Sequence, residues 1–105
     1  FAIAFAGGKF RQLGWGRVKI KLALKQKKVS DYCIRKAMMS ISENDYLRQM
    51  EKVLAKRAKE EKEKTPFKRQ HKLAAYLISR GFEPDLVWDL LKNSETWKTL
   101  KLRNL

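Results

Sequence analysis

Arg17-Val18-Lys19-Ile20-Lys21-Leu22-Ala23-Leu24-Lys25 is the stretch on which the fold turns. Its apolar and basic residues alternate, which is the pattern of a half-buried strand. The same residues also suit a helix. Leu, Ala and Lys are good helix formers, and Ile20, Ala23 and Leu24 share one helical face. Read alone, the stretch is undecided.

A second copy of the pattern decides it. A shift of 53 residues lays Ile20 on Leu73, Leu24 on Leu77, Lys27 on Arg80 and Val29 on Phe82. Cys33 then falls on Leu86, Ile34 on Val87, Ala37 on Leu90 and Met38 on Leu91. The common unit is helix, tight turn, apolar residue, short helix. The downstream copy is plainly helical. Thr65-Pro66 is a start signal, with a side-chain oxygen cap and then Pro where no amide is needed. Phe67, Leu73, Ala74, Leu77 and Ile78 line one face, and Gly81 permits the left-handed turn that ends the helix. Residues 17–28 are therefore expected to be helical.

The remaining elements follow by working outward. Residues 2–12 read as the end of a helix weakened by Gly7-Gly8, and Gly14 and Gly16 break it on either side of Trp15. Ser30-Asp31 opens a short helix through Met39, with Cys33, Ile34, Ala37 and Met38 inward. Ser42 with Asp45 resembles a capping box. It leads Tyr46, Leu47, Met50, Val53, Leu54 and Ala58 at helical spacing, and this helix is expected to run on to Lys64 in water. Pro84 starts a helix burying Leu86, Val87, Leu90 and Leu91. The tail carries Trp97, Leu100 and Leu102 and reads as a last helix or a frayed end. The expected core includes Ile20, Leu24, Val29, Ile34 and Ala37 in one copy and Leu77, Phe82, Val87 and Leu90 in the other.

Composition narrows the function. The chain has 105 residues, with 25 Lys and Arg against 11 Asp and Glu, a formal charge of +14. That is a one-domain length, and the excess favours polyanions or acidic protein surfaces. No acid occurs between Phe1 and Ser30. The single cysteine, Cys33, excludes an internal disulfide and a cysteine-based metal site. No apolar run approaches a membrane span. The opening Phe1–Ala6 lacks a charged leader and an initiating Met, so the chain is expected to begin inside a longer protein.

Catalytic constellations are weak. Gly7-Gly8-Lys9 lacks the earlier Gly and the following Ser or Thr of a phosphate loop, having Ile3 and Phe10 there. His71 has no Cys or second His to complete a metal site and no visible partner for base catalysis. Cys33 reads as a small core residue. Acids such as Glu60 lie among lysines at helical spacing, as solvated ion-pair partners do. Trp15, Trp88 and Trp97 read first as packing anchors. The informative feature is basic. Arg17, Lys21, Lys25 and Lys28 share one face, with Lys19 beside them and Lys9, Arg11 and Trp15 just upstream. Lys68, Arg69 and Lys72 form a second set opposite the apolar face of their helix. Cations aligned in this way can neutralise successive phosphates. No catalytic residue, cofactor or metal is expected.

Arg80-Gly81-Phe82 before a short helix, Lys27-Lys28-Val29-Ser30 in the equivalent place, and Trp15-Gly16-Arg17-Val18-Lys19-Ile20 leading a helix resemble the RecX family over about residues 1–92. Lys28 departs from the commoner glycine at its turn. The resemblance implies an all-α fold of tandem three-helix repeats in an elongated, right-to-left stack. Residues 1–14 would be the last helix of a truncated repeat, 15–64 a complete repeat, and 65–105 another with an uncertain tail. It also implies a non-enzymatic, cytoplasmic bacterial protein that binds the RecA–DNA filament and inhibits RecA ATPase and strand exchange. RecA and DNA would be its partners, with no membrane, and the protein would be a monomer. The alternative is a free-standing DNA- or RNA-binding protein, since three-helix units also occur in helix-turn-helix proteins.

Overall fold

A computed structural model describes residues 1–94; the tail expected to carry Trp97, Leu100 and Leu102 lies outside them. Six helices follow one another: α1 Ala2–Leu13, α2 Arg17–Gln26, α3 Asp31–Met39, α4 Glu43–Glu60, α5 Pro66–Ser79 and α6 Pro84–Asn93. No strand occurs among the described residues, so the alternating stretch is helix α2. Its strand pattern loses to the helical face: Ile20 and Leu24 are buried, while Val18 and Leu22 stay in water. The body is elongated, 50 × 21 × 21 Å.

The internal repeat is visible in backbone detail. Residues 17–26 shifted by 53 fall on the end of α5, and α3 falls on α6. Both intervening turns are built alike. Val29 N–H donates to Leu24 O at 3.1 Å, and Phe82 N–H to Leu77 O at 3.2 Å. Lys28 donates to Lys25 O and Gly81 to Ile78 O, each at 2.9 Å. Lys28 has φ 62° and Gly81 φ 98°, so the lysine adopts the left-handed conformation that glycine usually supplies.

One continuous core runs through both halves. Ile20, Leu24, Ile34 and Ala37 are buried in one, and Leu73, Leu77, Phe82, Val87 and Leu91 in the other. Val29 and Leu90 are half-buried at its edge. α1 packs mainly along α3 with α2 against both, while α5 packs on α4 and on α6.

Several side chains depart from expectation. Cys33 is exposed, because α3 turns only Ile34 and Ala37 fully inward. Phe67 is 70% exposed at the first turn of α5, beyond the reach of the core, and Ile78 and Leu47 are also exposed. Ser42 caps α4 as expected, accepting from Asp45 N–H at 3.1 Å. Thr65 makes no side-chain cap. Its amide instead donates to Glu63 Oε2 at 3.2 Å.

α4 stops at Glu60 and does not continue to Lys64. Arg69 gives the reason. Its buried guanidinium donates to Ala58 O at 2.6 Å, Glu61 O at 2.7 Å and Glu63 O at 3.3 Å. The side chain satisfies carbonyls that a helix end would leave open, and it holds the loop against α5.

Candidate polyanion-binding surface

α2 has two differently built ends. At its start, backbone from elsewhere in the chain meets the open amides. Gly16 N–H donates to Arg80 O at 2.8 Å, and Val18 N–H to Gly81 O at 2.9 Å. Arg17 N–H donates to the Tyr46 hydroxyl at 2.9 Å. The Arg17 guanidinium pairs with Glu43 at 2.6 Å and Glu83 at 2.9 Å, and lies 3.7 Å from the centre of the Tyr46 ring. The Tyr46 hydroxyl donates to Glu83. The Tyr46 ring sits between Phe10, 5.9 Å away, and Phe82, 5.5 Å away. Arg80 donates to Leu13 O. Gln49 donates to Phe10 O at 3.1 Å. This junction joins the α1–α2 corner to α4 and to the α5–α6 turn.

The electrostatics of the junction are those of a structural network. Burial works against the Arg17 charge, but Glu83 and Glu43 outweigh it and hold the guanidinium pKa above its ordinary value. Burial, then the hydrogen bond to Glu83, pushes the Tyr46 phenol well above its ordinary range. Arg17 is 17% exposed at its side chain and committed to two carboxylates. Grouping it with phosphate-facing cations is therefore corrected. Arg69 is corrected likewise, because its guanidinium is buried against main-chain carbonyls.

The far end of α2 is different. Lys21, Lys25 and Lys28 are exposed. None has an acidic partner within ion-pair distance among the described residues. Lys21 and Lys25 lie one helical turn apart, and Lys28 follows at the turn. Lys19 is half-buried, its ammonium 4.6 Å from the Trp15 ring centre. Lys9 lies 5.1 Å from that ring and 5.3 Å from Phe5. Lys27 lies 5.6 Å from Phe5. The rings are thus already in contact with the chain's own cations.

On α5, Lys68 and Lys72 are exposed, and Lys72 pairs with Glu63 at 3.5 Å. The Thr65 amide first, and the Lys72 charge after it, keep the Glu63 carboxyl below its ordinary range. Exposed His71 lies between Phe67 and Trp88, with ring centres 4.3 and 5.0 Å away. No cluster of three metal-ligating side chains occurs among the described residues. Nor is any described helix long and apolar enough to cross a membrane.

Sequence reasoning missed a further set of cations along α4: Arg48, Lys52 and Lys56. They line a groove that Arg11 faces from α1. Their i, i+4, i+8 spacing was available, but the acids interleaved with them made the helix read as a solvated mixed surface.

Residues 1–38 match the family model described as RecX, second three-helix domain, and residues 43–91 match that of RecX, third three-helix domain. No curated protein and no solved structure matches the chain.

Proposed function

The chain belongs to the RecX family, and on that premise we propose that it binds the RecA–DNA filament and restrains RecA ATPase and strand exchange. The observation that carries the reading beyond family membership is the junction at Arg17 and Tyr46. It fixes the corner between α1 and α2 against α4 and α6, so a 50 Å body meets its partner as one pre-set shape. A pre-organised surface loses less freedom on binding, which suits a regular filament groove. Lys21, Lys25, Lys28, Lys68 and Lys72 make the electrostatic contact. Lys19 contributes less, because Trp15 already engages it.

In this reading the protein does no chemistry. It needs no cofactor, works as a monomer in the bacterial cytoplasm, and leaves ATP hydrolysis to RecA. The repeating unit starts one helix earlier than a division into 1–14, 15–64 and 65–105. α1–α3 form one unit and α4–α6 the next. The packing of α1 on α3 supports this phase, as does the break between the two matched spans. The 53-residue correspondence holds in either phase.

Titrating the chain into preformed RecA filaments and into bare DNA at matched salt tests the proposal. Filament binding at lower protein concentration than bare-DNA binding, with falling ATPase, is the expected outcome. Equal affinity for both, with ATPase unchanged, contradicts it and favours direct nucleic-acid binding.

A further inference from the structure

We propose that the groove between the end of α1 and the length of α4 seats one strand of a nucleic acid by its phosphodiester backbone. Two adjoining clefts share Arg11, Gln49 and Lys52 and together follow α4. The one toward α5 encloses about 480 Å³ and is lined by Arg11, Lys52, Lys56, Arg57 and Arg80, with Glu60 as its acid. Arg48 lines the other cleft, together with the acids Asp45 and Glu51.

Arg48, Lys52 and Lys56 recur every fourth residue, so each step rises about 6 Å along one face. A linear polyanion can meet all three, whereas a single phosphate can meet only one or two. Arg57 and Glu60 form an ion pair at 3.6 Å, and Arg48 reaches Asp45 at 3.4 Å. Arg11, Lys52 and Lys56 have no ion pair among the described residues. Across both clefts Arg11, Arg48, Lys52, Lys56, Arg57 and Arg80 face the acids Asp45, Glu51 and Glu60, so the described lining is net positive.

Arg80 supplies a second observation. Its Nε–H is buried without a hydrogen-bond partner among the described residues, an unusual state for a buried donor. Arg80 lines the cleft toward α5, so an unsatisfied donor lies at its wall. A nucleic-acid strand fits better than an acidic peptide because it carries a charge at every repeat. An acidic peptide would need a run of acids at matching spacing. Such binding needs no RecA.

The test is fluorescence anisotropy of labelled oligothymidylate with the full chain, across a salt series and without RecA. Lys52→Glu with Lys56→Glu should lower affinity at least about tenfold at low salt. It should also flatten the log–log salt slope by roughly 1.4, two phosphate contacts on a single strand. Lys59→Glu with Lys62→Glu makes the same charge change outside the groove and should cost much less. Circular dichroism checks the fold, and Lys52→Gln with Lys56→Gln gives a milder variant for the same comparison. Equal losses from the groove and control pairs would overturn the groove assignment, as would a loss below about twofold from the groove pair. Competition by poly-glutamate as strong as by unlabelled oligonucleotide would overturn the choice of strand.

Discussion

The two ends of α2 carry the same kind of residue and use it in opposite ways. Arg17 at the start is held by Glu43, Glu83 and the Tyr46 ring. Lys21, Lys25 and Lys28 toward the end stand in water with no acidic partner among the described residues. The two turns related by the repeat divide in the same way. Gly81 lies against the junction end, where an added Cβ would come within 2.7 Å of the Lys19 amide nitrogen. Lys28 holds the corresponding left-handed position at the exposed end. A basic residue or a positive φ therefore has no fixed meaning; what packs against it decides whether it is structural or available to a partner.

Changing Gly81 should separate the two turns most sharply. Gly81→Ala adds left-handed strain and a clash with α2, together about 2–5 kcal/mol. Lys28→Gly relieves strain at an exposed position and should stabilise by about 0.5–1 kcal/mol. Urea unfolding of both variants measures the difference. Equal and small effects would mean that the α5–α6 turn does not bear on α2.

Arg17→Met tests the charged part of the junction. It leaves Glu83 half-buried without its cation, and a loss of roughly 2–3 kcal/mol is expected. A change below about 0.5 kcal/mol, the usual surface range, would place Arg17 with the free lysines. Tyr46→Phe should cost about 1–3 kcal/mol, because Glu83 and the Arg17 amide lose their shared hydroxyl. Its pH dependence is specific. The folded phenol pKa lies above the unfolded value of about 10. The wild-type advantage should therefore be complete below about pH 10 and decline as pH rises beyond it. Denaturant unfolding of both proteins across this range should show the difference shrinking only on the alkaline side.

Much of the fold was legible from local signals. Ser42, Pro66 and Pro84 marked helix starts, and the 53-residue correspondence resolved a stretch whose alternation favoured a strand. The early stop of α4 was not legible, because Arg69 reaches back to main-chain carbonyls that no side-chain pattern announces. The site was readable in part. Exposure of Lys21, Lys25 and Lys28 followed from helical facing. The withdrawal of Arg17 did not, since Glu43 and Glu83 lie 26 and 66 residues away in sequence. Cys33 and Phe67 misled because apolar spacing shows which residues share a face, but not how far the core extends beneath it.

We propose that the free end of α2 contacts the filament while the junction end holds the shape. Salt-dependent binding of Lys21→Glu with Lys25→Glu to RecA–DNA filaments tests it most directly, with Lys59→Glu and Lys62→Glu as the charge-matched control. Weaker binding at low salt is expected for the α2 pair, with a log–log slope flatter by about 2. Unfolding stability should change by less than about 0.5 kcal/mol, because exposed charges contribute little to folding. Equal weakening by both pairs, or none by the α2 pair, would contradict the assignment of that face.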